Sequence, residues 1–584
     1  MRSLLHFLAF QLAFIALILG GTGALTANSS PTSNCRCLYG QNCWPNDAAF
    51  AILSQKLSQP LVHPTPVASP CYTSSTSSSC AAVQSRYADA IWRSDQPGAY
   101  EFQNFETYIQ PNGTVDACYL NITLGYPCKQ GSIPPLGVDA RTPADVQAAL
   151  SFATTYNLKL VVKNTGHDYQ GRSAGRGEFM LWTHHMKNLV YSETFVPTGG
   201  PSNTTFKAIT TGAGDQWGDV YQFSSQRGRM LVGPFALGGS LGTAGGVPQG
   251  GGISTFSPKY GLVTDNILQF TVVLANGSIV TANSIQNTDL FWALRGGGPS
   301  TFGIVLTVTY KTYPSFPVSI ATFSAVLGTN DISQKVVTEA VKNIVRFTDK
   351  GWGGFMYIIK PTLFSGLWIA PNTSQSELAA SLDPFGAFLY QTTGGQGGVY
   401  YNTSTSYYSW YDQTFLGTGG SQVTGNIKIA SRLLSRELAQ SNASGIAAKI
   451  LSTSSVFTQF DMILGGAVNT IAASSVAANP SFRHSVASVV INEIWADGTN
   501  SSVIAQQIEN LKKNTDLIDG ISTDSGSYMN QGSLYERDFK KTFFGSNYPA
   551  LRAIKQKYDP DSLLVVANGV GSDEWDKDVV CRTS

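Results

Sequence analysis

The sequence predicts an α+β protein of two or more domains behind a disulfide-rich N-terminal extension, and three observations carry that expectation. The chain has 584 residues, 42% of them hydrophobic, which is too long for one simple core and apolar enough to fill several. Seven of its eight cysteines fall before residue 130, so a stapled module precedes the rest. From about residue 133 helix and strand patterns alternate as far as 313, and a second α+β texture begins at Phe316. The charge balance excludes some functions. Its 38 basic and 37 acidic side chains leave +1, with no global field for nucleic acid or an anionic membrane.

At the N-terminus, Met1-Arg2 precedes an apolar run from Leu4 to Leu19 and mostly small residues from Gly20 to Ala27. This is the pattern of a secretory signal over residues 1–27, cut after Ala24 or Ala27. An uncleaved anchor is the alternative, since the run is near the lower spanning limit. A secreted protein without later membrane attachment is expected. The even cysteine set, Cys35, Cys37, Cys43, Cys71, Cys80, Cys118, Cys128 and Cys581, then reads as disulfides. Cys581 must join the N-terminal module if all eight pair. About 105 pairings are open. A metal cluster is disfavoured, because no histidine flanks these cysteines at ligand spacing. Glycan acceptor sequons stand at Asn28, Asn112, Asn121, Asn203, Asn276, Asn372, Asn402, Asn442 and Asn500.

Residues 28–130 are loop-rich, and the regular elements follow. Thr142-Pro143-Ala-Asp145 offers a hydroxyl cap, proline at the first helical position and an acid in the first turn. Val146, Ala149, Leu150 and Ala153 follow on one apolar face, and Asn157 closes the helix. Leu158–Val162 reads as a buried strand running into Gly166-His167. Strands are expected at Met230–Val232, Ile267–Leu274 and Ser278–Thr281, the last two joined by an Asn276-Gly277 turn. A short helix, Asp289–Arg295, and a β-branched strand, Phe302–Thr309, complete this half. The second half predicts helices at Gln334–Phe347, Glu437–Ile450 and Ile504–Leu517, with strands at Phe355–Ile359 and Ser485–Trp495. A last helix over 547–558 is stopped by Asp559-Pro560.

Two segments carry chemistry. A lone histidine is more often structural than functional, but His167 sits between Gly166 and Gly171 at the end of a buried strand. Such a turn leaves backbone N–H groups open to phosphates and the imidazole open to a reactive ring. The second segment, Gly238 to Gly252, is dense in glycine yet interleaved with Leu, Val and Pro, unlike a linker. No Gly-x-Gly-x-x-Gly follows an early strand, so a dinucleotide-binding Rossmann domain is not supported.

The motifs Val162-Lys-Asn-Thr-Gly-His167-Asp-Tyr-Gln-Gly-Arg-Ser173, Gly245-Gly-Val-Pro-Gln-Gly-Gly-Gly252, Tyr260-Gly-Leu-Val-Thr-Asp-Asn266 and Asp289-Leu-Phe-Trp-Ala-Leu-Arg-Gly-Gly-Gly298 occur in that order. With Ser527-Tyr528-Met-Asn530 and Lys557-Tyr558-Asp-Pro-Asp561, they resemble FAD-linked oxidases of the vanillyl-alcohol-oxidase superfamily, berberine-bridge-enzyme-like branch. The cysteine-rich N-terminus and the closing segment are most similar to secreted fungal members described as isoamyl-alcohol-oxidase-like. The resemblance implies a two-part FAD-binding domain of the vanillyl-alcohol-oxidase (PCMH) type over 131–315. It also implies an α+β substrate domain over 316–520 and a tail, 521–584, that returns to the flavin.

By the same resemblance, His167 is the covalent flavin anchor, and Lys163, Asn164, Thr165, Gly166 and Asp168 complete the pyrophosphate loop. Gly245, Gly246, Gly250, Gly251 and Gly252 border FAD, with Tyr528 and Asn530 supplied by the tail. Some members carry a second linkage through a cysteine. Here its counterpart by spacing is Gly239, and no cysteine lies between Cys128 and Cys581. One covalent bond and a more enclosed substrate site are therefore expected.

The remaining candidates rest on the residues alone. Glu493 lies on the expected strand with Val489, Ile491 and Trp495 on the same face, a carboxylate against an apolar wall and so a candidate catalytic base; Tyr528, matched through the tail motif, is the other catalytic candidate. His184 and His185 are adjacent and, in a strand, face opposite sides, against a shared metal. No metal is expected. His484 either reaches the pocket or simply starts a strand.

The expected function is hydride transfer from an alcohol or secondary-metabolite intermediate to the flavin, with O2 as acceptor. A carbohydrate oxidase and an oxidative cyclase of berberine-bridge type are the alternatives. Outside catalysis stand an inactive flavin-binding secreted glycoprotein and an adhesive glycoprotein without flavin.

Overall fold

A computed structural model describes residues 34–235, 239–416 and 425–583; the expected signal segment, 1–27, lies outside them. The helix foretold by Thr142 runs from Pro143 to Thr155. The Thr142 hydroxyl accepts from the Asp145 amide, and Asp145 accepts in return from the Thr142 amide, a reciprocal cap. Asn157 ends it with φ at +50°, and strand Leu160–Lys163 follows. That strand pairs in parallel with Phe179–Trp182, which pairs in parallel with Leu136–Asp139. Leu61–Val62, from the N-terminal extension, adds an antiparallel edge.

A second sheet orders its strands as Ile279–Asn283, Ile267–Val273, Ile304–Pro314, Phe206–Gly212 and Val190–Phe195, with Arg229–Leu231 paired to the end of Ile304–Pro314. The hairpin at Asn276-Gly277 forms as expected: the Gly277 amide donates to the Leu274 carbonyl, and Gly277 takes φ +83°. Leu160, Phe179, Ile209 and Phe270 belong to one hydrophobic cluster, so the first two sheets share a core.

The third sheet is antiparallel throughout, in the order Gly397–Ser404, Val318–Val326, Leu363–Pro371, Gly353–Ile359, Phe457–Met462, Ser485–Trp495, Asn426–Ser435. Its two faces do different jobs because successive side chains alternate. Met356, Phe460, Val489 and Ile491 pack beneath helices Asn330–Thr348, Ala443–Ser452 and Ser501–Ile518. Phe355 and Leu433 face the other way, against Ile253, Phe482 and Tyr528. The single helix expected over 437–450 is two, Arg436–Ser441 and Ala443–Ser452. Asn442 breaks out at φ −142° and its side chain caps the second, a role this residue type performs better than it continues a helix.

Four disulfides pair all eight cysteines: Cys35–Cys581, Cys37–Cys43, Cys71–Cys80 and Cys118–Cys128. Cys581 thus ties the chain's end to the extension. No helix among the described residues is long and apolar enough to cross a membrane.

Candidate active site

Three separated segments meet through one chain of hydrogen bonds. Strand Leu160–Lys163 runs out into Asn164-Thr165-Gly166, where Gly166 takes φ +93° and a Cβ would lie 3.2 Å from the Tyr100 ring. Asp168 fixes the turn: its carboxylate accepts from the amides of Gln170 and Arg172 and from Arg172 Nε at 2.7 Å. Arg172 Nη2 donates to Asn530 Oδ1 at 3.1 Å. Asn530 Nδ2 donates to the Gly246 carbonyl at 2.6 Å and to the Tyr528 hydroxyl at 2.8 Å. Gly250 is needed beside it, since a Cβ there would sit 2.5 Å from Asn530 Nδ2. The His167 loop, the glycine run and the tail are therefore one assembly.

This assembly walls one end of a cavity of about 460 Å³. Asn164, Thr165, Gly166, His167, Asp168, Gly245, Gly246, Tyr528 and Asn530 all line it. Lys163 and Gly250–Gly252 do not. Lys163 points away into the protein, donating to the Gln96 carbonyl between the Tyr100 and Trp182 rings, where burial lowers its pKa to about 7. Gly251 and Gly252 hold φ at +112° and +64°; they shape the glycine run rather than border the space.

The donor set fits FAD. Gly245 has no atom within 4 Å of where a Cβ would stand, so backbone there faces open space. Ser173 Oγ and Gln249 Oε1 line the cavity, buried and without a partner among the described residues, and such atoms await a ligand or water. His167 Nε2 lies 2.6 Å from Ser240 Oγ and 3.4 Å from Glu101 Oε1. Burial drops the imidazole to about 3, leaving it neutral. Gly239 is pressed against Gly218, where a Cβ would meet Gly218 Cα at 2.6 Å. It is the next residue, Ser240, whose side chain reaches His167.

The opposite end comes from the third sheet. Phe355 and Tyr357, then Gln459 and Asp461, project from neighbouring strands into the cavity. Asp461 is buried and accepts from Gln459 Nε2 at 2.5 Å and Gln531 Nε2 at 2.6 Å, and Gln531 is held in turn by the Ser488 hydroxyl. Burial, only partly offset by these bonds, raises Asp461 to about 6. Tyr169, stacked on Phe102 with centroids 4.9 Å apart, also lines the space and is pushed up to about 12 by burial.

Glu493 is a correction. It lies on Ser485–Trp495 with the parity of Val489 and Ile491, which face the helices, and it accepts from Asn514 Nδ2 at 3.2 Å. It does not line the cavity. The alternation that made it a candidate is real, but the apolar wall it shares belongs to the helix-packed face. Asp461, not singled out by the sequence, is a carboxylate that does line the cavity. Its signal is present in Phe457–Met462, an apolar strand with Gln459 and Asp461 at alternate positions. His184 and His185 follow their strand in a turn, with ring centroids 5.3 Å apart. Asp95 and Asn164 bind the first and Asp139 the second, and no metal cluster occurs among the described residues. His484 is exposed and outside the cavity.

Comparison with known proteins gives two family matches: an FAD binding domain over residues 134–283 and a "berberine and berberine like" segment over 527–571. An uncharacterized FAD-linked oxidoreductase of Arthroderma benhamiae is 33% identical over 98% of this chain and 99% of its own length. The FAD-linked oxidoreductase patO of Aspergillus clavatus is 28% identical over 93% of each chain. Among solved structures, the VAO-type flavoprotein MtVAO615 of Myceliophthora thermophila C1 superposes with a TM-score of 0.82 at 26% identity, covering 94% of this chain and 100% of that one. The glucooligosaccharide oxidase of Acremonium strictum, described with a 6-S-cysteinyl, 8α-N1-histidyl FAD, shares the fold at a TM-score of 0.63 and 21% identity, over 75% and 91% of the two chains.

Proposed function

Because this chain belongs to the FAD-linked oxidoreductases of the vanillyl-alcohol-oxidase superfamily, berberine-bridge-like branch, we propose that it is a secreted oxidase of an alcohol or secondary-metabolite intermediate, with its flavin joined to His167. The observation that carries this reading is the cavity with a neutral histidine at one end and a buried, proton-hungry carboxylate at the other.

FAD held there would supply two-electron chemistry for removal of a hydride from substrate, with O2 as the proposed final acceptor. The protein does the rest. Asn164 to Asp168, Gly245 and Gly246 offer backbone and polar side chains to the cofactor, and Asn530 locks them together. Asp461 takes the hydroxyl proton. Above about pH 6 it is ionised, and its two glutamine donors orient it. Tyr528, pushed up to about 12, stays protonated and serves as a hydrogen-bond donor. Phe102, Phe235, Phe355, Tyr169 and Tyr357 give the cavity aromatic walls, which suit a flat or unsaturated substrate better than a long oligosaccharide.

Secretion is supported by the four disulfides. It is supported too by exposure of Asn112, Asn121, Asn203, Asn276, Asn372, Asn402, Asn442 and Asn500. As working units we take 28–130 as the extension, 131–315 as the flavin part, 316–520 as the substrate part and 521–584 as the returning tail.

The test is anaerobic mixing of the purified yellow protein with benzylic and allylic primary alcohols, sugars and amines. An alcohol is expected to bleach the flavin, and air to restore it with release of H2O2. Bleaching by sugars alone moves the reading to a carbohydrate oxidase. No bleaching by any class leaves a flavin-binding protein without turnover.

A further inference from the structure

Glu101, in the N-terminal extension, faces His167. Its carboxyl is fully buried. Oε1 accepts from Ser94 Oγ at 3.1 Å and faces His167 Nε2 at 3.4 Å, while Oε2 is buried with no partner among the described residues. Its surroundings hold cations, but these are committed elsewhere. Arg93 pairs with Glu106 and donates to the carbonyls of Tyr87 and Tyr100, and Lys163 donates to the Gln96 carbonyl.

A buried carboxyl with an orphan oxygen is costly, and a purely structural role would be served better by an amide or an apolar side chain. What distinguishes this position is its neighbour. Nε2 of His167 hydrogen-bonds Ser240 Oγ at 2.6 Å and faces Glu101 Oε1 at 3.4 Å, and the ring keeps 16% of its side-chain surface exposed as it lines the cavity. The nitrogen left for the cofactor is Nδ1.

We propose that Glu101 is a positioning residue for flavin attachment, holding His167 as the Nε2–H tautomer so that the Nδ1 lone pair faces the cofactor and accepting the Nε2 proton as the bond forms. This rests on the covalent reading given above. The balance of the step closes. Nδ1 gives the electron pair of the new N–C bond to the 8α carbon, which loses one proton, and Nε2–H supplies the second. The two electrons reduce the flavin ring, which takes up two protons, and O2 then reoxidises it. Burial raises the Glu101 carboxyl to about 8, so the ionised form, which takes the Nε2 proton and stabilises the positive charge on the imidazole until that proton leaves, grows as pH rises toward that value, and attachment should quicken with it.

The experiment uses the full chain, expressed as wild type, Glu101→Gln, Glu101→Asp and Ser240→Ala, each loaded with FAD. Three quantities are read: total bound flavin, the fraction surviving acid precipitation over time, and the melting temperature. Wild type is expected to become fully acid-stable, with FAD mass on the His167 peptide. Glu101→Gln, which keeps the size of the side chain, is expected to bind FAD in full but attach it at least tenfold more slowly. Glu101→Asp should fall between the two, and Ser240→Ala should slow attachment less than Glu101→Gln.

If wild type shows no adduct, the covalent reading fails and this role with it. If wild type is adducted and both Glu101 variants attach at the wild-type rate, only the role of Glu101 is overturned. Should Glu101→Gln fail to hold FAD, Glu101→Asp decides by the same rate comparison. Should neither variant hold FAD, Glu101 is a folding residue and the proposal is wrong.

Discussion

At one end of the cavity the wall is largely backbone, and at the other it is side chains brought together across a sheet. The end we assign to the flavin is drawn from three contiguous stretches, around His167, Gly245 and Asn530, locked by Arg172 and Asn530. The end we assign to the substrate takes Tyr357, Asp461 and Gln531 from separate strands and the tail, and its geometry depends on the pairing of Phe355 with Asp461 and of Asp461 with Ser488. The first end binds by conformation, so most residues there contribute through their backbone. The second acts by chemistry, so one side chain can dominate.

The sharpest break of this comparison is at the side chain proposed to bond the flavin covalently. His167→Ala is expected to abolish acid-stable flavin entirely while noncovalent FAD is still taken up, because the remaining polar contacts are untouched. Acid precipitation followed by absorbance of the supernatant measures it. Flavin still attached in this variant would move the anchor elsewhere.

Asp461→Asn comes next. Removing the base is expected to lower kcat by about 10²–10⁴-fold with little change in flavin content. The wild-type rate should rise with pH through about 6, where Asp461 ionises, and the variant should lose that limb. Stability runs the other way. A carboxyl raised on folding keeps its proton when the unfolded chain has lost it, so stability falls as pH climbs from about 4 to about 6 and stays lowered above. Asp461→Asn should therefore melt higher than wild type at pH 7.5, and a lower melting temperature would count against burial as the cause of the shift.

Asn530→Ala tests the lock between the two kinds of wall. It removes the bonds to Gly246, Arg172 and Tyr528 at once, each lost partner costing about 1–3 kcal/mol where it leaves a buried group unsatisfied. FAD affinity is expected to weaken by about tenfold or more, with a lower melting temperature, measured by flavin titration of freshly prepared protein. Unchanged affinity would mean that the glycine run holds its shape without the tail.

The same contrast explains what was readable beforehand. A turn that must expose backbone constrains consecutive residues, so Gly166-His167 and the 245–252 run announce themselves, and a cap such as Thr142 with Asp145 is equally local. Asp461 carries no such signature. Its strand alternates, but nothing local says which of the two faces meets the cofactor. The sheet decides that through strands far apart in sequence, such as Gly353–Ile359 and Phe457–Met462. Glu101 was hidden for the same reason, since its contact with His167 spans the joint between the extension and the flavin-binding sheet.

Glu493 puts the smallest effect on the strongest logical footing. It and Ser488 sit on the same strand, five residues apart and on opposite faces. Ser488 supports the Gln531–Asp461 pair, while Glu493 meets Asn514 on the helix side. Glu493→Gln keeps a hydrogen-bonding side chain of the same length beside Asn514, so kcat should stay within twofold. Stability should move by no more than about 0.5 kcal/mol, the scale of partly exposed substitutions away from special features. Burial raises the Glu493 carboxyl above its ordinary value, so any change should be a small gain at neutral pH and should vanish at acid pH. Parallel assays of Glu493→Gln and Asp461→Asn turn the two faces into a direct contrast. If both lost activity alike, the catalytic proton would have to leave through the sheet, and the division between its cavity face and its packing face would not hold.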